Sequence, residues 1–374
     1  MTLPSSELEP PATAQSDYPQ RKGRVSEEKI VEMVGSGLAA VSVVWVGFTI
    51  VGISAWFGTF FCSYALFLVF YGVVLWRRHG VLHMKDGLAT VAVWSGAALA
   101  LVALLAVVAY VIVKGAPVVF SGFPGFIVHD MTGGKNLKTF GVGPAIVGTI
   151  EQVAIATVIS IPIAYMTATY LVESRSVLAR VVRNVIDAMT GTPSIIAGLF
   201  IYSIWVIPHG RNGQSGFVAA VTLSIMMLPV TCRAALEVIR IVPGSLREAA
   251  LALGAPQWRV VLRVVLPTAK VGLVTAAILG IARTAGETAE VLFTAGGNTH
   301  YNFNPFSGRQ DDLPLRVYEQ VFQPNARAIS IGWGAAFVLV VVVLGLFVVA
   351  RLVGSSGMKF PTPRLRRRTS GDVP

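Results

Sequence analysis

Eight long apolar runs restrict what this chain can fold into. Each is close to the roughly 20 residues that an α-helix needs to cross the hydrocarbon core of a bilayer. The runs cover residues 33–55, 57–76, 88–113, 143–171, 189–207, 217–236, 268–295 and 330–353. They are continuously apolar and do not alternate with period two, so they predict helices and not the strands of a barrel. The expected fold class is an all-α polytopic membrane protein with about eight transmembrane helices.

The composition agrees with membrane insertion and excludes several chemistries. Of the 374 residues, 54% are hydrophobic and 13% are charged, and the mean hydropathy is +0.69. The chain has only two cysteines, both inside apolar runs, and its five histidines have no ligand-like spacing, so we expect no metal site. No Gly-x4-Gly-Lys-Ser/Thr phosphate loop occurs, so we expect no ATP hydrolysis, no enzymatic activity and no cofactor in this chain.

Basic residues predict the orientation of the spans. Of the 30 lysines and arginines, 22 lie in the two tails and in alternate loops, whereas 7 lie in the other loops and Arg283 lies within a span. Because loops rich in Lys and Arg stay on the cytoplasmic side, both termini are predicted to be cytoplasmic, in a multi-pass protein of the cell membrane. The same distribution explains the net charge of +11 without nucleic acid, which is not an expected partner.

A loop between the sixth and seventh runs has the most informative pattern. It reads Glu248-Ala249-Ala250-Leu-Ala-Leu-Gly254, continues for nine residues, and ends in Val264-Val-Leu266-Pro267. Glycine accepts the positive φ that a tight turn requires, so this pattern predicts two short helices joined at Gly254. Pro267 would fix the start of the following helix. Amphipathicity alone is also compatible with a hairpin lying on the membrane surface.

This spacing resembles the cytoplasmic coupling loop of ABC-importer permeases, EAA-x3-G-x9-I-x-LP, with Val264 in place of the usual Ile. Two further strings, Gly191-Thr-Pro-Ser-Ile-Ile-Ala-Gly-Leu199 and Ala282-Arg-Thr-Ala-Gly-Glu-Thr-Ala289, resemble the PstA-type permeases of phosphate-specific importers. The similarity extends over about residues 88–353. The usual permease has six helices, so the apolar pair 33–76 is an addition for which the sequence offers no function.

The resemblance implies a division of the chain. It places a disordered cytoplasmic tail at 1–32, an additional transmembrane hairpin and loop at 33–87, the six-helix permease domain at 88–353 with its coupling loop at 237–267, and a basic cytoplasmic tail at 354–374.

The resemblance also implies partners. They are a second, PstC-like permease, a dimer of PstB-like ATPase subunits that binds ATP and magnesium, an extracytoplasmic PstS-like phosphate-binding protein, and membrane lipid. The residues implied to contact the ATPase are Glu248, Ala249, Ala250, Gly254, Leu266 and Pro267.

Charges within the seventh run supply the candidates for substrate passage. Arg283 and Glu287 are four residues apart, and a charge in a span costs several kcal/mol unless it is paired or hydrated. The pair can be purely structural, or the guanidinium can hydrogen-bond an anion while Glu287 holds it. Thr192 and Ser194 could add hydroxyls at a helix start, although ordinary helix capping explains them equally well. Glu290 is a weaker candidate.

These observations predict a permease subunit that moves inorganic phosphate into the cytoplasm by alternating access, driven by ATP hydrolysis in a partner. Two alternatives stay open. One is an ABC permease for another oxyanion, because geometry alone does not separate tetrahedral anions. The other is a proton-coupled secondary anion carrier, which would use the intramembrane acids but has no need of the 248–267 loop.

Overall fold

In a computed structural model of the protein, the structure describes residues 27–52, 56–132 and 140–355. These ranges are helical apart from turns and loops, with one isolated β-bridge between Gly296 and Gln310. The all-α fold class is confirmed. Two predicted tails fall largely outside the described residues. These are residues 1–26 of the predicted tail 1–32 and residues 356–374 of the predicted tail 354–374.

The described chain forms a succession of α-helices joined mostly by short turns, with a longer loop over residues 295–312. They are α1 Glu27–Val51, α2 Trp56–Gly122, α3 Gly125–Val128, α4 Gly143–Glu173, α5 Val177–Gly191, α6 Ser194–Ile201, α7 Ile207–His209, α8 Gly216–Arg240, α9 Gly244–Ala252, α10 Gln257–Val260, α11 Leu266–Thr284, α12 Ala289–Thr294, α13 Leu313–Val321 and α14 Ala326–Ser355. A π-helical turn joins α6 to α7, and another joins α10 to α11.

The number of possible membrane crossings agrees with the sequence. Six helical stretches in the described ranges are long and apolar enough to cross a bilayer, and the bent pair formed by α5 with α6–α7 adds a seventh. The 67 residues of α2 amount to about 100 Å of helix, and its helical geometry breaks at Gly80, where φ is 84° and ψ is 175°. Two arms of α2 are each long enough for a crossing, which brings the count to eight.

The first compact unit, Met1–Ala106, contains the turn at Gly80. The two arms of α2 run back along each other, as a hydrogen bond between them shows: the Tyr64 hydroxyl donates to Ser95 Oγ at 2.9 Å. The sequence predicts a loop over 77–87, which is wrong. The single residue Gly80, at positive φ, is enough to reverse the chain.

An ion pair ties α1 to the same turn. Arg78 Nη1 lies 3.0 Å from Glu32 Oε1, and the Glu32 side chain is only 5% exposed. The sequence predicts a disordered tail that includes residues 27–32, and this is wrong because these residues are part of α1. The apolar pattern begins only at Met33, so it contains no signal for the polar first turns of this helix.

The second unit, Val107–Pro374, is organised by the packing of α4 against α8. The buried positions of α4 include Gly148, Ala156, Ser160, Ala164 and Ala168. They recur about every four residues and so lie on one face of the helix. Small side chains let two helix backbones approach closely, which is how helices associate in lipid.

Prolines explain the two π-helical turns. Pro208 and Pro267 each follow such a turn by two residues. Proline has no N–H for the usual bond to the residue four positions earlier, and its ring crowds that carbonyl. The helix widens just before each proline, so that the N–H of Leu266 bonds to the carbonyl of Val261, five residues back. Both helices therefore continue through the proline.

The fifth predicted span, 189–207, begins too early. Its first residues are the end of α5, and the chain then bends by 102° before α6. Pro193 disfavours helical geometry at Thr192, which is extended with ψ of 128°, so α5 has to end there. The apolar segment after the bend is 194–209, which is long enough for a crossing only together with α5.

The seventh predicted span, 268–295, is displaced along the chain. The helix already begins at Gln257 and ends at Thr284, because α10, the π turn and α11 are continuous. The second of the two short coupling helices that the sequence predicts is thus the start of the span. Residues 285–288 leave the helix before α12 begins.

Candidate functional site

The two strings that carry the PstA-type resemblance are neighbours in the fold. Gly198 of α6 packs on the backbone of α12, and a Cβ at this position would lie 2.7 Å from the Glu290 Cα. No real side chain tolerates that distance to a backbone atom, so the two helices can meet here only at a glycine.

Arg283 and Glu287 form an ion pair across the end of α11. Arg283 Nε lies 3.5 Å from Glu287 Oε1. The helix ends between them, since the Glu287 N–H donates to the Thr284 carbonyl in a tighter turn at 3.2 Å. The spacing in the sequence predicts that both residues lie on one face of a continuous helix. This is wrong, because the helix ends between them. Arg283 is 55% exposed and Glu287 only 19%, so most of the guanidinium's donors remain accessible.

Glu290 is the most enclosed acid of this region. The residue has no exposed surface, and neither carboxylate oxygen has a hydrogen-bond partner among the described residues. Its carbonyl accepts from the Thr294 hydroxyl at 2.8 Å. The sequence makes Glu290 a weaker candidate on the expectation that it is exposed, and this expected exposure is wrong because α12 packs against α6 and α8.

The hydroxyls at 192 and 194 are positioned differently from each other. Thr192 Oγ1 donates to the Ala188 carbonyl at 3.1 Å, so it closes the end of α5 instead of starting α6. Ser194 is the first residue of α6 and is half-buried. Pro193, between them, occupies the N-cap position and offers no side-chain acceptor.

The predicted turn at Gly254 is present and has a specific hydrogen-bond pattern. Gly254 has a φ of +79°. Its N–H donates to the Leu251 carbonyl at 2.9 Å, and the Ala255 N–H donates to the Ala250 carbonyl at 3.2 Å. These two bonds form the glycine-terminated motif that satisfies the last carbonyls of a helix, here α9. The α9–α10 segment is therefore a fixed elbow.

The elbow exposes an apolar tip. Glu248 and Ala249 are exposed on α9, whereas Ala250 and Leu266 are partly buried against the core below. Several large side chains at the tip have no cover within the described chain; they are Leu246, Leu251, Leu253, Trp258 and Leu262. Leu253 is 89% exposed. These five side chains fall within the short segment 246–262, and exposed apolar residues concentrated in this way are a feature of surfaces that contact other molecules.

Arg247 anchors the elbow to the spans, and the sequence analysis missed it. Its Nη2 donates to the Ile239 carbonyl at the end of α8 at 3.0 Å, and it lies 3.6 Å from Glu173 at the end of α4. The signal available in the sequence was one arginine directly before Glu248, which alone does not reveal either partner.

A buried polar network closes the opposite end of the unit. Gln310 is 1% exposed, and its amide nitrogen donates to Glu151 Oε2 at 2.6 Å. Gln152 donates to Gln310 Oε1 at 3.2 Å. A Cβ on Gly148 or on Gly216 would overlap this segment, so both helix starts must be glycine for residues 310–311 to fit between them. The sequence analysis did not predict this network.

Next to Gln310, Asp311 and Arg316 form a buried ion pair. Both Nε and Nη2 of Arg316 lie 2.9 Å from Asp311 Oδ2, and Nη1 lies 2.9 Å from Glu319. Burial raises the pKa of Asp311 to about 7, although Arg316 opposes the shift. Burial and the neighbouring Asp311 also raise the pKa of Asp312, whose carboxylate caps α13 by accepting from the Leu315 N–H at 2.8 Å.

The spans, the exposed elbow and the half-exposed intramembrane arginine define a membrane-embedded transport subunit. The chain belongs to the family described as binding-protein-dependent transport system inner membrane component, whose sequence pattern matches residues 160–356. Within this family it belongs to the PstA-type permeases.

Curated relatives agree with that assignment. The chain is 36% identical over 302 residues to the phosphate transport system permease protein PstA 1 of Mycobacterium tuberculosis, covering 80% of this chain and 94% of that protein. It is 31% identical over 277 residues to the probable phosphate transport system permease protein PstA of Methanocaldococcus jannaschii, covering 73% and 95%. The inward-facing MetNI methionine ABC transporter aligns with a TM-score of 0.45 at 20% identity, covering 58% of this chain and 94% of that chain.

Replacing Arg316 by Met should destabilise the end of the unit opposite the elbow. The change leaves Asp311 buried without its partner, which costs about 3 kcal/mol. This cost is present while Asp311 is ionised. With Arg316 the folded pKa of Asp311 is about 7, and without Arg316 it rises further, so the deficit relative to the wild type should be larger at pH 8 and shrink as the pH falls below about 7, where the carboxyl is protonated in both folded proteins.

Thermal unfolding of the detergent-solubilised protein at pH 8 and pH 5.5 measures both effects. Arg309→Met removes an exposed arginine from the same loop and should change the midpoint little at either pH. An equal loss of midpoint at both pH values would show that the Asp311 carboxylate is not the source of the instability.

Proposed function

We propose that this chain is the permease subunit through which an ATP-driven importer moves inorganic phosphate into the cytoplasm. Membership of the transport family supports the permease role, and the relatives named for phosphate transport support the substrate. The observation that carries the substrate assignment within this chain is Arg283. It is an intramembrane guanidinium fixed on one side by Glu287 and more than half exposed on the other.

The chemistry of Arg283 suits a passing oxyanion. A planar guanidinium can offer paired N–H donors to two oxygens of a tetrahedral anion, and these charge-assisted bonds offset part of the anion's lost hydration. The 3.5 Å contact with Glu287 is long for such a pair, so the carboxylate holds the arginine without occupying its donors fully. Such a site passes the anion on and does not store it. High affinity would belong to a separate binding protein.

The elbow at Gly254 is proposed as the surface that receives the ATPase. The exposed cluster at its tip provides apolar contact area, and Glu248 and Ala249 face outward beside it. Arg247 links the elbow to the ends of α4 and α8, so a push on the tip reaches two spans directly. That partner would bind ATP and magnesium. A second permease and an extracytoplasmic binding protein would complete the importer, and both termini of this chain would lie in the cytoplasm.

Uptake of labelled phosphate at low external concentration tests the function. Cells with and without the chain are compared after the ion gradients are collapsed while ATP is maintained. We expect chain-dependent uptake to continue, and labelled sulfate and molybdate to be taken up equally in both strains. Loss of uptake with the gradients would indicate a secondary carrier instead, and chain-dependent uptake of sulfate would change the cargo.

Gly254→Val should uncouple the subunit without removing it from the membrane. A β-branched residue at φ +79° is strongly disfavoured, whereas no heavy atom lies within 4 Å of the position, so the change acts through the backbone alone. ATP-dependent uptake should fall by at least about tenfold, since a strained residue of this kind costs on the order of 1–3 kcal/mol. Gly254→Asn, which tolerates positive φ, is the matched control and should retain most uptake. Normal transport by the Val variant would remove the elbow from the coupling pathway.

Arg283→Gln should lower the maximal rate of phosphate uptake far more than it lowers assembly. Losing hydrogen bonds from a charged group costs about 1.5 kcal/mol or more, which corresponds to at least about tenfold in rate. Arg283→Lys keeps the charge without the paired donors and should be intermediate. Assembly is followed by co-purification of the complex. An unchanged maximal rate in the Gln variant would leave Arg283 only a structural ion pair.

A further inference from the structure

A cationic pocket lies where α4 ends and α5 begins, away from Arg283 and from the elbow's tip. It has a volume of about 430 Å³ and is lined by four arginines, Arg175, Arg180, Arg183 and Arg240, together with Ser174 and Ser176. No acidic side chain lines it. The volume falls in the range of small-molecule sites, and the lining is one that recognises anions.

Most of this positive charge is not compensated. Arg240 is paired with Glu237 at 3.0 Å. Arg183 donates to the Leu171 carbonyl at 3.1 Å, which fixes its position but not its charge. Within the described ranges, Arg175, Arg180 and Arg183 form no ion pair with a carboxylate. Three like charges around one pocket repel one another, so the site favours an anionic occupant.

The start of α5 adds to the same field. Its N-cap, Ser176, accepts from the Ala179 N–H at 3.2 Å. The Tyr170 hydroxyl lies 2.9 Å from Ser176 Oγ, and Ser174 Oγ lies 3.0 Å from it. These bonds hold two hydroxyls at the pocket wall. The first turn of a 15-residue helix also carries partial positive charge, which favours an anion beside the arginines.

An apolar stripe on α5 shows which kind of anion fits. Val177, Val181 and Val185 recur every four residues and are each more than half exposed, and Leu178 lies beside them at 61% exposure. The stripe borders the arginines on a helix that directly follows an apolar span. A helix with a valine face and an arginine face is suited to the membrane interface, where its apolar side would meet the acyl chains.

We propose that this pocket binds the phosphate headgroup of an anionic phospholipid, with the acyl chains of the lipid along the α5 stripe. The shared chemistry is a phosphate group held by arginines, which free inorganic phosphate could also supply. The stripe favours the lipid, because a free ion would make no use of exposed valines. Basic pockets between helices at the membrane boundary bind anionic headgroups in this way. The proposal does not depend on the transported substrate.

The full-length chain in non-ionic detergent can be titrated with fluorescent phosphatidylglycerol, and with phosphatidylcholine of the same acyl chains. Wild-type protein should bind phosphatidylglycerol at least about tenfold more tightly. Each arginine near an anionic headgroup contributes about fivefold in affinity. The variant with Arg175→Gln and Arg180→Gln should therefore lose about 25-fold, and adding Arg183→Gln should raise the loss to the order of 100-fold.

Two controls make the result specific. A variant with Arg77→Gln, Lys85→Gln and Arg259→Gln removes three exposed basic residues outside the pocket and should bind as the wild type does. The double variant keeps the bond from Arg183 to Leu171, so it should unfold at the wild-type temperature.

Three results would overturn the proposal. One is equal binding of phosphatidylcholine, and another is unchanged binding by the triple pocket variant. The third is displacement of the lipid by inorganic phosphate at submillimolar concentration, with phosphate bound equally well in lipid-free micelles, which would assign the pocket to the free ion.

Discussion

Close contact between α4 and α8 is the interaction that positions the rest of the second unit. Lipid does not drive two apolar helices together, so their association depends on packing and on hydrogen bonds. The small residues of α4 allow that approach, and the Ser160 hydroxyl adds a bond to the Ser224 carbonyl at 2.9 Å. At one end, the pair forms a core with α5, α11 and the base of the elbow. Farther along, Ala156 and Leu223 pack against Val291 of α12. The elbow and the arginine region are thus mounted on one helix pair.

Polar groups at the end of the unit opposite the elbow are held by hydrogen bonds, and not by the close packing that joins α4 to α8. Gln310 and Asp311 are almost fully buried, so each needs partners, and they find them in Glu151, Gln152 and Arg316. Buried networks specify one arrangement most strongly when every member is satisfied; here Oδ1 of Asp311 and Oε1 of Gln152 have no hydrogen-bond partner among the described residues. Glycines at the starts of α4 and α8 leave the space into which the segment fits. Side-chain hydrogen bonds therefore fix the segment that closes this end, whereas small side chains and the Ser160 hydroxyl fix the contact between α4 and α8.

Local rules in the sequence predict much of this fold, and they fail where distant contacts decide. Apolar runs locate the spans, and Gly254 adopts the positive φ that its place in the loop requires. The bounds of the seventh span are wrong because apolarity falls over 257–267, although helical geometry continues through the polar residues there. Arg247 and Gln310 were missed because their partners are far away in sequence, at Glu173 and Glu151. The ion pair of Arg283 and Glu287 was predicted from spacing, but the end of the helix between them was not.

The π turn before Pro267 separates the elbow from the span in a further respect. One additional residue in a helical turn rotates all following side chains by about 100° relative to an uninterrupted α-helix. The faces of α10 and α11 are therefore offset from each other by about that angle, although the backbone is continuous. Side chains of the elbow can change to fit a partner without altering which side of α11 faces the core. Conversely, loss of a single residue within 261–265 would remove this offset. One of the two helices would then present a side rotated by about 100° to its surroundings, although none of its amino acids had changed.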